Sequence, residues 1–265
     1  HVVESKNDAD LLVSLLSPEP KVREDQNTVH FTRESLMYLD GAQHISQFDL
    51  TMDTSPLSNI PIASMPAEFW KTMHEMPIPT LSNLKTRKLA VWAASNCGGE
   101  WDRLGYLKEL SQYMHIDFPG RCLHNAEDSL SRAKYTSNAQ MYVGYLFVFG
   151  FHNALDNANI DEKLALPLLG NSANVVMQHD IGYYFAPGNH SWVDASRFKS
   201  PKELAAYLLY LQDHLDEYLT YFDYRHNETK PTRVLDAIQN VSIYQKGNLC
   251  RLCAWVLVLV RCSPR

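Results

Sequence analysis

Between residues 88 and 225 the chain alternates short apolar runs with amphipathic stretches, and no other feature constrains its fold as much. Residues 89–94 (LAVWAA) and 145–151 (YLFVFGF) are unbroken apolar runs, the pattern of strands buried on both faces. Residues 174–177 (NVVM) and 191–194 read as a third and a fourth strand. After the first run come a tight turn at 95–99 (SNCGG) and a helix over 100–114, with Leu104, Leu107, Leu110 and Met114 on one face. After the second, 152–160 is a polar loop, and Asp161 N-caps a helix that begins Glu162-Lys163-Leu164 and ends at Gly170. Ser200-Pro201-Lys202-Glu203 opens the next helix with a Ser cap, Pro in the first turn and Glu three residues after the cap. Residues 204–211 continue it, and 216–224 predict a further, aromatic-rich helix. Such alternation specifies an α/β domain with a mainly parallel sheet, whose ligands bind beyond the carboxyl ends of the strands.

Residues 1–85 read instead as irregular, punctuated by seven prolines from Pro18 to Pro79, with 76–82 (MPIPTLS) as a linker. A length of 265 residues, 45% of them hydrophobic, allows one large domain or two modest ones, each with its own core. The net charge of −6, with no long basic run, argues against a nucleic-acid partner. The apolar run at 252–260 is less than half of the roughly 20 residues a membrane helix needs. No signal peptide is visible and the chain opens on His1, so the expectation is a fragment or processed chain with any targeting segment upstream. Sequons at Asn189, Asn227 and Asn240, beside a Cys-x-x-Cys, tilt towards the secretory pathway.

Two loops fall where ligands of a parallel sheet bind. In the first, Arg103 lies near the start of its helix, where free N–H groups and a guanidinium together suit a phosphate; the other reading is a solvated arginine beside Asp102. In the second, Lys163 occupies a first helical turn, where an ammonium opposes the helix dipole unless an anion is bound there; the other reading is a surface Glu162–Lys163 pair. Phosphate-loop, dinucleotide, hydrolase-elbow and zinc-protease motifs are all absent. Cys250 and Cys253 read as a short-loop disulfide in preference to half a zinc site, Cys97 with Cys122 as a possible second bridge, and Cys262 is left over.

Longer stretches add a pattern. Ala93-Ala94-Ser95-Asn96-Cys97 with Arg103, Tyr106-Leu107 and Leu110 is similar to "SNC…R..YL..L"; Gly120-Arg121-Cys122-Leu123-His124-Asn125 to "GkClhN"; residues 145–163 to "YKFvfaFENs...DYvTEK". Residues 185–225 are similar to "FaP..sfi.v.dF.spkelA.yl.yL......Y..Y..WR", Phe31 to Ser35 to "F..ES", and Phe48 to Met52 to "FNwTM". In this order and spacing, over most of residues 30–253, the chain resembles glycosyltransferase family 10, the α1,3/4-fucosyltransferases.

The resemblance implies an α/β fold of GT-B type, two Rossmann-like domains with the active site in the cleft between them. It suggests an acceptor-side domain at 1–85, a GDP-fucose-binding domain at 86–230 and a tail with Cys-x-x-Cys at 231–265. It implies inverting transfer of fucose from GDP-β-L-fucose to O3 of GlcNAc in a glycan or glycoprotein. Glu34 would be the catalytic base and Glu162 would bind sugar hydroxyls and favour the cationic transition state. Arg103 and Lys163 would hold the diphosphate, while Asn153 and Tyr145 would line the nucleotide site. GDP-fucose is then a co-substrate, with no cofactor and no metal required, because side chains supply the cations. The family implies a Golgi membrane location with a lumenal catalytic domain, reached through an anchor outside these residues. His152, Asn159 and Asp161 depart from the family pattern, Asn174 stands where the pattern has Pro, and Asp49 where it has Asn. These departures raise a second expectation, a member that binds GDP-fucose or a glycan without transfer; a third is another sugar-nucleotide transferase.

Overall fold

A computed structural model describes residues 5–14, 17–32, 45–53, 58–60, 72–126, 138–153, 155, 162–177, 187–188 and 190–226. The chain divides into two compact units, one of His1–Ser64 with Leu235–Arg265 and one of Met65–Val234.

The first unit corrects the expectation of an irregular N-terminal region. It holds three parallel strands, β1 (Leu11–Ser14), β2 (Asn27–Phe31) and β3 (Leu50–Met52), in the order β1-β2-β3. Val29, Leu50, Met52 and Ile60 form its small core. Polar groups hold much of the rest. The Asp49 carboxylate accepts from the Thr28 N–H (2.7 Å) and hydroxyl (2.9 Å). The buried Gln26 amide donates to the carbonyls of Lys6 and Ala9 while its oxygen accepts from the N–H groups of Val22 and Arg23.

The second unit is the expected parallel α/β sheet: β4 (Lys88–Val91), β5 (Tyr145–Phe149), β6 (Ala173–Val176) and β7 (Trp192–Asp194), in that order and all parallel. β5 is buried along its whole length, which explains its unbroken apolar sequence. Around the sheet lie α1 (Leu81–Leu84), α2 (Arg103–Leu110), α3 (Asn138–Tyr142), α4 (Glu162–Leu169), α5 (Pro201–Asp213) and α6 (Leu215–Leu219). Leu107 and Leu110 of α2 pack with Leu204, Leu208 and Leu211 of α5 on Phe147 and Phe149. A smaller cluster joins Val91, Val148 and Tyr142 to Leu166 of α4.

Caps decide several boundaries. Ser200 accepts from the Glu203 N–H, and Glu203 returns a carboxylate to the Lys199 N–H, so α5 starts where its sequence signals place it. The helix expected over 100–114 is shorter, because Asp102 is its N-cap and accepts from the Gly105 N–H at 2.8 Å. The linker expected over 76–82 ends early, since Thr80 caps α1. The helix expected over 216–224 is α6 followed by a 3₁₀ segment, Thr220–Arg225. There the wholly buried Tyr218 donates to the Leu146 carbonyl (2.6 Å) and accepts from the Ala173 N–H (3.1 Å), fixing α6 to two strands. The C-terminus of α4 is met by Arg87, on the Gly170 and Asn171 carbonyls, and by Arg225, on the Leu168 carbonyl, where positive charge complements the helix dipole. Among the described residues no helix is long and apolar enough to cross a membrane.

Candidate functional site

β4 and β5 are neighbours, so the loops leaving their carboxyl ends lie side by side. Three donors from the first loop meet three successive carbonyls of the second. The Glu100 N–H donates to Asn153 (2.7 Å), the Trp101 indole N–H to His152 (3.0 Å) and Arg103 Nη1 to Phe151 (3.2 Å). Gly99 permits this approach, since a Cβ there would stand 2.5 Å from the Asn153 oxygen.

Arg103 also binds its own loop. Nη2 donates to the carbonyls of Asn96 (2.5 Å) and Gly98 (2.7 Å), and the guanidinium lies 5.5 Å from the centre of the Trp92 ring. The side chain is 2% exposed. A buried guanidinium at a helix N-terminus is unfavourable unless acceptors surround it, and these carbonyls are those acceptors. The far side of the loop is held by the Cys97–Cys122 disulfide, one of the two bridges expected. Next to it, Gly120 packs so closely on Ala94 that a Cβ would stand 2.3 Å from the Ala94 oxygen.

The second loop leads to α4. Lys163 lies in its first turn, half-buried, with its carbonyl against Gly150. Segment 150–153 therefore meets Arg103 and Trp101 at Phe151 and His152, and the first turn of α4 at Gly150. Trp101, Tyr106 and Phe151 pack edge to face, with Phe149 continuing the row. The Tyr106 hydroxyl has no hydrogen-bond partner among the described residues, and burial raises its pKa to about 12. His152 is buried.

Residues 83–258 match the family model described as glycosyltransferase family 10 (fucosyltransferase), C-terminal part. The chain belongs to glycosyltransferase family 10. A GDP-fucose protein O-fucosyltransferase 3 of Danio rerio is 30% identical over 199 residues, 69% of this chain and 42% of that protein. A 3-galactosyl-N-acetylglucosaminide 4-alpha-L-fucosyltransferase of Bos taurus is 31% identical over 225 residues, 79% of this chain and 56% of that protein. The chain thus spans about half the length of these relatives. Among solved structures, an α1,3-fucosyltransferase matches with a TM-score of 0.61 at 16% identity, covering 94% of this chain and 83% of that one. Its form with GDP-fucose matches with a TM-score of 0.60 at 16% identity, over 89% and 79%. The likeness establishes the α/β fold of GT-B class for this family-10 chain.

Set against the expected family-10 site, Arg103 bonds to segment 150–153, Asn153 is the last residue of that segment, and the Lys163 backbone carbonyl lies against its Gly150. Arg103 does so with both terminal nitrogens engaged on carbonyls, as a residue that shapes the loop. Tyr145 does not belong with them. It is the first residue of β5, at the opposite end of the strand, 1% exposed, and its hydroxyl donates to Asp117 (2.7 Å). Glu34, the Glu162 side chain, Asp161, Asn159, Cys250, Cys253, Cys262 and the sequon residues Asn189, Asn227 and Asn240 lie outside the described residues. Among the described residues no group of three or more His, Cys, Asp or Glu gathers to hold a metal. Trp101 escaped the sequence reading, its one local signal being an aromatic residue between a glycine pair and a helix cap; Asn174 was marked only as a departure from the family's Pro, with no role attached.

Proposed function

We propose that this chain transfers L-fucose from GDP-β-L-fucose to an acceptor hydroxyl, with inversion at the anomeric carbon. The observation that carries the reading is the joining of the β4 and β5 loops, through Glu100, Trp101 and Arg103, in a chain of this family. Lys163 neutralises the diphosphate as the bond from sugar to phosphate breaks, and Asn153 lines the nucleotide site. Arg103 acts on the donor through the loop it organises. Glu162 binds sugar hydroxyls and favours positive charge on the ring. Glu34 takes the acceptor proton, and the new bond forms on the face opposite the departing GDP. The acceptor is a glycan or glycoprotein, with O3 of GlcNAc as the hydroxyl. A second reading, a hydroxyl of a protein itself, is favoured by the similarity to a protein O-fucosyltransferase. The oxidised Cys97–Cys122 pair favours a lumenal, Golgi setting for the activity.

The test is transfer of labelled fucose from GDP-fucose to an array holding both glycans and folded proteins. Glu34→Gln should lower turnover at least ~100-fold with GDP affinity retained, as removal of a general base does. Lys163→Ala should instead weaken GDP binding at least ~10-fold. Turnover unchanged in Glu34→Gln removes the proposed base, and a wild-type chain that transfers to neither acceptor class removes the activity.

A further inference from the structure

α4 carries Pro167 in its interior. In an α-helix each carbonyl accepts from the N–H four residues on; proline has no N–H and its ring crowds the carbonyl four residues back. Here that carbonyl belongs to Lys163. The helix therefore lacks the regular donor for the carbonyl of the residue assigned to the diphosphate, and a backbone carbonyl turned from water needs a partner.

β6 supplies it. Asn174 is 0% exposed, and its Nδ2 donates to the carbonyls of Lys163 (3.1 Å) and Leu164 (3.2 Å). Its strand pairs on both sides, Asn174 being in register with Val148 of β5 and Trp192 of β7, so the anchor is interior to the sheet. Gly150 makes room for the contact. A Cβ there would meet Asn174 Oδ1 at 2.6 Å, Nδ2 at 3.0 Å and the Lys163 oxygen at 3.0 Å. An apolar residue at 174 would fill the space and leave the Lys163 carbonyl without this donor.

We infer that Asn174 is a positioning residue for the donor site: by supplying the donor that Pro167 withholds, it fixes the first turn of α4, and so the reach of Lys163 to the diphosphate. The inference rests on the proposed role of Lys163. Its distinctive consequence is a coupling. Asn174 matters because residue 167 lacks an N–H, so restoring that N–H should relieve the need for Asn174.

The experiment measures GDP affinity by calorimetry, with melting temperature in parallel, for the wild-type chain, Asn174→Ala, Pro167→Ala and the double variant. Asn174→Ala should bind GDP roughly tenfold more weakly at temperatures where it is fully folded. Pro167→Ala should bind within about threefold of wild type, and the double variant should recover to the same range. A merely structural role would lower the melting temperature and leave the affinity of the folded protein unchanged. Equal weakening in the single and double variants overturns the inference, as does wild-type affinity in Asn174→Ala. If Asn174→Ala does not fold, Pro167→Ala must restore its folding and its GDP binding, and failure to do so is equally fatal. A wild-type chain that binds no GDP overturns the donor-site reading and this inference with it; wild-type binding without coupling overturns this inference alone.

Discussion

Arg103 shows how one side chain can look like a ligand clamp in sequence and act as a loop organiser in structure. Its planar fork reaches three carbonyls, of Phe151, Asn96 and Gly98, on two different loops. A lysine is a single point charge and cannot span them. Arg103→Lys is therefore expected to destabilise the fold by about 3 kcal/mol, the scale of breaking a buried, hydrogen-bonded charge. That is a fall in melting temperature of roughly 6–12 °C for a chain of this size. GDP affinity should fall with it, because the displaced loops carry Asn153 and lead to Lys163. Differential scanning calorimetry of the ligand-free variant decides the matter. An unchanged melting temperature with weakened GDP binding would return Arg103 to direct contact with phosphate.

At the scale of elements, Asp117 ties the amino ends of β4 and β5 to the segment beside them. It accepts from Lys88 Nζ (2.7 Å) and the Tyr145 hydroxyl (2.7 Å), which start those strands, and pairs with His115 Nε2 (2.8 Å). Its backbone extends the sheet, exchanging bonds with Ala90 and Trp92. Burial alone would raise its pKa, but the hydrogen bonds from Lys88, Tyr145 and His115 outweigh it and hold the carboxyl below the usual 3.8. A depressed folded-state pKa contributes stability that is complete above the unfolded value and is lost as pH falls through the folded one. Wild type should therefore melt above Asp117→Asn at about pH 6, with the gap narrowing as the pH is taken below the usual 3.8; a constant gap in a pH series of melting curves refutes this. The elements also show what sequence can and cannot reveal. β5 and α5 were legible because uniform burial and a complete cap each leave a local signature. β2 was hidden because it buries Thr28 and His30 alongside Val29, so no apolar run marks it. In the candidate site, the positions of Arg103 and Lys163 after strands were legible, but the backbone carbonyls that Arg103 engages were not. Nor were the contacts of Trp101 and Asn174, which act on backbone carbonyls of His152, Lys163 and Leu164, and carbonyls carry no side-chain signature.

At the scale of the whole molecule, the Cys97–Cys122 bridge couples stability to the site. The two cysteines are 25 residues apart, and in the unfolded chain such a crosslink removes loop entropy worth about 3–4 kcal/mol. In the folded chain the same bond holds a loop whose Asn96 and Gly98 carbonyls receive Arg103, and Arg103 in turn reaches the Phe151 carbonyl. A strut placed away from the candidate site would affect stability alone, whereas this one reaches segment 150–153 through one side chain. Replacing both cysteines by serine should lower the melting temperature by about 10 °C and weaken GDP binding several-fold at temperatures where the variant is still folded. The two effects separate on adding Arg103→Lys. If Arg103 carries the influence of the bridge to segment 150–153, the triple variant should bind GDP no more weakly than Arg103→Lys alone, although it melts lower. Fully additive losses of affinity would show that the bridge acts on the donor site by some other route, and unchanged affinity in the serine variant would confine it to stability.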